Sequence, residues 1–275
     1  MLRTALLFAL LTGIMLAVGW LIGGTSGMTF FLGLSIVMNF LSYWYSDKIV
    51  LGMYHAKEVT KKQEPKLHQL VEKVAEEAEI PKPKIYLVDM PVMNAFATGR
   101  SPSHASLAVT SGLMKNLDWG EIEGVVSHEM SHIKSRDMLT ASIAATIGGT
   151  IAYIAQIAWY GLMTGDRRNS GSAALLPLLI LAPIAATLVQ LAISRSREYA
   201  ADYTGAVISK KPLELASALQ KISQVAKDHP LKGNSATSML FIVNPFKADS
   251  FAAMFSTHPP VEQRIARLKE IAKQI

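Results

Sequence analysis

The sequence predicts a mainly helical α+β protein in which four membrane-crossing helices frame a domain with a small antiparallel sheet. Three observations carry that expectation. Residues 4–23, 28–45, 138–163 and 171–194 contain no charged side chain, and at ~1.5 Å per residue each is long enough to cross a bilayer core. Half of the 275 residues are hydrophobic, and the charges are segregated into the remaining segments. Those segments show helical periodicity in some places and strand-like alternation in others.

Composition narrows the chemistry. There is no cysteine, so disulfides and thiolate metal sites are excluded and any metal must use His, Asp or Glu. The net charge of +6 does not point to nucleic acid, because the basic residues are interleaved with acidic ones or flank apolar spans. A lipid bilayer is the partner that pattern suits.

The first two uncharged stretches read as a helical hairpin, residues 1–46, joined by Gly24, Thr25, Ser26 and Gly27. A cleaved signal peptide is the competing reading of residues 3–19, but the apolar run continues past them into a second span. From Asp47 the chain turns rich in lysine and glutamate, opening the first part of a soluble domain, residues 47–137. Pro65 starts an amphipathic helix carrying Leu67, Leu70, Val71, Val74, Ala75 and Ala78, with His68 expected on its solvated face. Residues 84–88 alternate as a strand, and 94–99 with 105–110 read as an antiparallel pair around a Ser/Pro turn holding His104. An exposed strand edge there would hold an extended peptide by its backbone, although an ordinary hairpin has the same pattern.

The pivotal stretch is 118–137. Asp118 followed by Glu121 is a capping-box start, Val125 and Val126 supply an apolar face, and no helix breaker is evident through Asp137. Within it His128, Glu129, Met130, Ser131 and His132 form H-E-x-x-H. Positions four apart share one helix face, so both imidazoles can reach one ion. Zn²⁺ suits neutral imidazoles and can keep one position open for water. Glu129 then lies beside that position, where a carboxylate can take a proton from the water and pass it to a leaving amine.

The second pair of apolar stretches, residues 138–194, is expected as a second membrane hairpin, with Pro177 and Pro183 in its last helix. The remaining part of the soluble domain, 195–275, opens with Arg195, Ser196, Arg197 and Glu198. Glu198 and Asp202 are four apart and so share a face. At the base of the span paired with the one after H-E-x-x-H, Glu198 is the expected third ligand. Asp202 is the expected acceptor for an imidazole N–H. Leu213 to Val225 reads as another helix, and 228–256 as irregular. Thr257, His258, Pro259 and Pro260 lead into a closing helix with Arg264. His258 could hydrogen-bond an oxyanion opposite the metal, or simply cap that helix. His55 and His229 belong to no constellation.

Taken together, these residues resemble the HtpX-type membrane zinc peptidases, related to the CAAX prenyl endopeptidases. The resemblance covers nearly the whole chain: the leading spans, Asn94-Ala95-Phe96-Ala97, His128 to His132, two further spans, Glu198 within Arg-Glu-x-x-Ala-Asp, and His258-Pro259 with Arg264. It implies a gluzincin-like peptidase domain holding one Zn²⁺ at His128, His132 and Glu198, with Glu129 catalytic. It also implies substrate contacts at Asn94, Ala95, Phe96 and Ala97, transition-state assistance by His258 and an active-site role for Arg264. The implied activity is hydrolysis of peptide bonds in damaged or misfolded proteins of a bacterial inner membrane, alongside other quality-control proteases. A zinc-binding scaffold without activity is the alternative. A transporter is disfavoured, because the spans contain no ionisable group to line a path.

An even number of spans puts 47–137 and 195–275 on one side of the membrane. Lys48, Lys134, Arg136, Arg195 and Arg197 make that side cytoplasmic, against Arg167 and Arg168 in the opposite loop. If the H-E-x-x-H helix runs unbroken into the third span, the metal lies ~15 Å or less above the bilayer core.

Overall fold

A computed structural model describes residues 2–146, 195–228, 240–243 and 259–275. Helix α1 (Leu2–Met53) is broken into two arms at Gly23 and Gly24, where Gly24 takes a left-handed φ of 58°. The turn therefore falls earlier than the sequence suggested, and Thr25 to Gly27 already belong to the second arm. The arms touch backbone to backbone: a Cβ on Gly19 would stand 2.6 Å from the Gly27 carbonyl oxygen. Asn39 donates to Thr12 Oγ1 at 3.0 Å between them. Thr4–Leu21 and Gly23–Met53 are each long and apolar enough to cross a membrane. The second arm runs without a break through Asp47, the first charge after the apolar stretch.

Next come β1 (Lys57–Glu58), α2 (Pro65–Glu77), β2 (Lys84–Val88), β3 (Ala95–Gly99), β4 (Ala105–Thr110) and α3 (Ser111–Asn116). Pro65 occupies the first turn of α2, where its missing N–H costs nothing, and Leu67, Val71, Val74 and Ala75 are buried at helical spacing. His68 is half-buried, its Nε2 2.9 Å from the Val59 carbonyl, not simply solvated. The sheet order is β1-β2-β4-β3, and the expectation of an antiparallel sheet is corrected. β3 pairs antiparallel with β4 as the turn chemistry dictates, but β2 runs parallel to β4. The reason is a crossover: the chain leaves β2 at Val88, skips one strand position, descends as β3 and returns as β4 into the gap. That leaves β3 as an edge.

Helix α4 (Trp119–Lys134) starts on the expected capping box. Asp118 Oδ1 accepts from Glu121 N at 2.9 Å, and Glu121 Oε2 accepts from Asp118 N at 3.0 Å. It does not continue to Asp137. Residues 135 and 136 form a turn, Arg136 takes a φ of 57°, and a new helix, α5, covers 137–146. A left-handed residue just past a helix end is a common stop, and His55, Glu79 and Lys210 do the same after α1, α2 and α6. Here the residue is an arginine, so the sequence contains no glycine or proline to announce it. The ~15 Å height based on an unbroken helix is withdrawn with it.

Helices α6 (Arg195–Ser209), α7 (Pro212–Asp228) and α8 (Val261–Ile271) complete the described elements. Of the expected third and fourth spans, only the start of the third, in α5, lies within the described residues. α4 is buried along most of its length because α2, α6, α7 and β3 all pack on it. Its own Ile122, Val125, Met130 and Ile133 pack with Leu67, Val71, Leu107, Leu113, Leu219 and Leu268 in one apolar core, each worth about 1.5–3 kcal/mol of burial. Two acidic side chains of α4 fasten it further. Glu121 accepts from Ser217 and Lys221, and Glu123 accepts from Lys73 and Lys211 at 2.6 Å each. A second core joins Leu7, Leu11 and Val50 of α1 to Val88, Phe96, Ala108 and Ile143, locking the apolar hairpin onto the sheet and α5.

Candidate active site

The site lies where α4, α6 and the β3 edge meet. Gly205 lets α6 approach α4, since a Cβ there would stand 2.8 Å from the His128 backbone N. Along α6, Glu198, Asp202 and Gly205 follow at i, i+4 and i+7, so both acids face α4 on the side where the helices touch.

His128 Nε2 and His132 Nε2 are 3.3 Å apart. Glu198 Oε2 lies 3.8 Å from the first and Oε1 3.7 Å from the second. These three residues are a group whose ligand atoms all fall within 4.8 Å of one another. Two imidazole nitrogens and a carboxylate oxygen, converging without any thiolate, fit a divalent transition metal of zinc's preferences.

Behind His128, Asp202 Oδ1 is 3.0 Å from Nδ1. Arg264 grips Asp202 with Nε at 2.8 Å and Nη2 at 2.7 Å, and donates Nη1 to the Ile242 carbonyl at 2.9 Å. Burial opposes the charge on Asp202, but the Arg264 guanidinium outweighs it and holds the carboxyl at about 2. Arg264 is itself fully buried, and Asp202 raises its pKa against the desolvation that would lower it. It also stands beside two of the candidate ligands directly, with Nη2 3.5 Å from His128 Nε2 and Nη1 3.8 Å from Glu198 Oε2.

Glu129 is buried, and Oε2 accepts from the backbone N–H of Ala97 at 3.0 Å. Burial pushes its carboxyl above the ordinary range, with the neighbouring imidazoles pulling the other way. Because backbone groups alternate sides along a strand, the Ala97 bond shows that the N–H and C=O groups of Ala95 and Ala97 point away from β4. Ala95, Phe96 and Ala97 line the cleft over His128, Glu129 and His132.

Asn94 does something different. Its Nδ2 donates to the Leu240 carbonyl at 2.9 Å and its Oδ1 accepts from Ile242 N at 3.0 Å, so it clamps a short segment that walls the cleft. Residues 240–242 are buried there, part of a region the sequence suggested was irregular. His258 lies outside the described residues. Sequence reasoning missed Asp137, Arg197 and the 240–242 wall, which also line the cleft. The spacing of Gly205 from Glu198 and Asp202 was a usable signal, whereas the turn that brings Asp137 back had none.

The chemistry open to these groups is limited: a cation held there could polarise a carbonyl, Glu129 could move a proton, and a strand edge beside both can align an extended chain. They define a metal-dependent peptide hydrolase. Comparison with known proteins makes that specific. Peptidase family M48 matches residues 61–272. A protease HtpX homolog of Pyrococcus furiosus is 53% identical over 278 residues, covering 99% of this chain and 96% of its own. A protease HtpX homolog of Thermococcus sibiricus is 50% identical over 282 residues, covering 100% and 97%. One of Aquifex aeolicus is 49% identical over 272 residues, covering 96% and 90%. The crystal structure of S. mikatae Ste24p aligns with a TM-score of 0.49 and 17% identity, over 86% of this chain and 57% of that one. The chain belongs to peptidase family M48 and is a metalloprotease of the HtpX type.

Proposed function

We propose that the protein is a membrane-anchored zinc endopeptidase that cuts damaged or misfolded membrane proteins close to the bilayer on the cytoplasmic side. The observation that carries the reading is the convergence of His128, His132 and Glu198, with the Glu129 carboxylate on the same helix tied to the strand edge. When bound there, Zn²⁺ supplies a Lewis acid and lowers the pKa of water. The chain's own groups do the rest. Glu129, kept out of bulk solvent with its pKa raised, takes the proton of the attacking water and delivers it to the departing amine. The outward N–H and C=O of Ala95 and the C=O of Ala97, whose own N–H is taken by Glu129, hold the substrate extended without regard to its side chains. Asp202, fixed by Arg264, keeps the His128 ring in register.

Nearness to the membrane is supported by α1. Lys48 lies over the ring of Tyr45 and Arg100 over that of Trp44, an arrangement suited to the headgroup level. Tyr54, about nine residues beyond Tyr45 or ~14 Å along the chain, packs on Phe96 with ring centroids 5.4 Å apart. Phe96 lines the cleft. The cytoplasmic orientation follows from the basic residues flanking the spans.

The test uses purified protein in detergent with a membrane-protein substrate. Chelation should abolish cleavage and zinc should restore it. Glu129→Gln should retain zinc and lose nearly all turnover, and cleavage by that variant at the parental rate would refute the mechanism. Cut sites found only tens of ångströms from the bilayer would refute the proposed location.

A further inference from the structure

His128 and His132 turn their Nε2 atoms to one point, so each ring points its Nδ1 away from the metal position. An imidazole that gives its Nε2 lone pair to a cation carries its proton on Nδ1, and that N–H fixes the ring when an acceptor stands behind it. For His128 the carboxylate that stands there is Asp202, 3.0 Å from Nδ1 and held in turn by an arginine. His132 has a counterpart at longer range. Asp137 Oδ2 lies 3.7 Å from His132 Nδ1, and the other oxygen, Oδ1, is paired with Nη2 of Arg197.

The two supports reach the site by separate routes. Asp202 sits on α6 and is held by α8. Asp137 opens α5, directed back towards α4 by the turn at 135–136, and is held by Arg197, the residue before Glu198 on α6. Two of the three ligands, one from each helix, therefore stand next to this second pair. Both of its members line the cleft, with side chains 19% and 17% exposed, whereas Asp202 and Arg264 are sealed at 2% and 0%.

We infer that Asp137, held by Arg197, is a positioning residue for His132, so that each histidine ligand is backed by its own Asp–Arg pair. This rests on the metal centre proposed above. The looser contact at 3.7 Å, against 3.0 Å behind His128, places the effect towards the lower end of the 10–100-fold in metal affinity such supports contribute.

The test uses the full chain in detergent. It measures the zinc dissociation constant by chelator competition, the visible absorption of the Co²⁺-substituted protein, and the thermal unfolding of the metal-free protein. D137A should bind zinc about tenfold more weakly and shift the cobalt bands, with the metal-free unfolding midpoint unchanged. D137N keeps an acceptor oxygen and should recover most of the affinity. Should D137A not fold, R197Q takes its place and should weaken zinc binding while D137N stays near the parent. A folded D137A, or failing that R197Q, with parental affinity and unshifted cobalt bands overturns the inference and leaves the metal centre standing. A parental protein that binds no zinc overturns both.

Discussion

Gly205→Ala offers a direct test of how α6 is held against α4. The added Cβ would stand 2.8 Å from His128 N, 2.9 Å from His128 Cα and 3.0 Å from Ser127 C, all backbone atoms that cannot swing aside. Ordinary contact begins at 3.4 Å, so the helices must part by about 0.6 Å. Metal–ligand distances tolerate only ~0.2 Å, and Glu198 rides on the helix that moves. We expect zinc affinity to fall about 10–100-fold, or ~1.4–2.7 kcal/mol. Stability responds less clearly. Overpacking costs about 1–3 kcal/mol, while alanine gains about 1 kcal/mol over glycine in helix propensity. Chelator competition is therefore the decisive assay, with thermal unfolding alongside. Gly52→Ala is the control, because a Cβ there meets nothing within 4 Å. If Gly205→Ala binds zinc within twofold of the parent, helix separation does not set the ligand geometry and the reasoning fails.

Other expectations can be checked on the same material. Arg264→Ala strands the Asp202 carboxylate in a buried site and should cost about 3–5 kcal/mol, read as a lowered unfolding midpoint of the metal-free protein. Asn94→Ala leaves the Leu240 carbonyl and Ile242 N–H without their partner, so amide exchange at Ile242 should quicken and KM should rise more than kcat falls. Glu123→Gln should destabilise by about 1–2 kcal/mol, discounted because Lys73 and Lys211 are about half exposed. Burial works against the charge on Glu123, but the two lysines hold its carboxyl below the usual 4.5. The stabilisation is thus present above the ordinary carboxylate range and is lost as pH falls through the lowered value. Acid unfolding curves of parent and variant should converge there.

Much of this was legible in the sequence because it is local. The capping box at Asp118 and Glu121, the i, i+4 spacing of His128 and His132, and that of Glu198 and Asp202 are set within single helices, where 3.6 residues per turn decides which side chains share a face. The β3–β4 hairpin was legible for the same reason. What was not legible depends on tertiary contacts. Nothing in 84–88 shows that β2 will pair parallel with β4 and leave β3 at the edge, since alternation is the same for either neighbour. The stop at Arg136 has no glycine or proline, so Asp137 read as the tail of a helix when it begins another. Residues 240–242 carry no pattern of their own and take their place from Asn94 and Arg264.

The second arm of α1 carries a mechanical consequence. It passes with no flexible joint from its apolar length to Met53, and the next residue, Tyr54, bears on both Phe96 and Phe241, with ring centroids 5.4 and 6.0 Å away. Both rings line the cleft, so a rod seated in lipid ends against the cleft's own lining. Tilting that rod, as a thicker or thinner hydrocarbon layer does, moves that lining. Turnover should accordingly track the acyl-chain length of the surrounding amphiphile even for a substrate that never enters the bilayer.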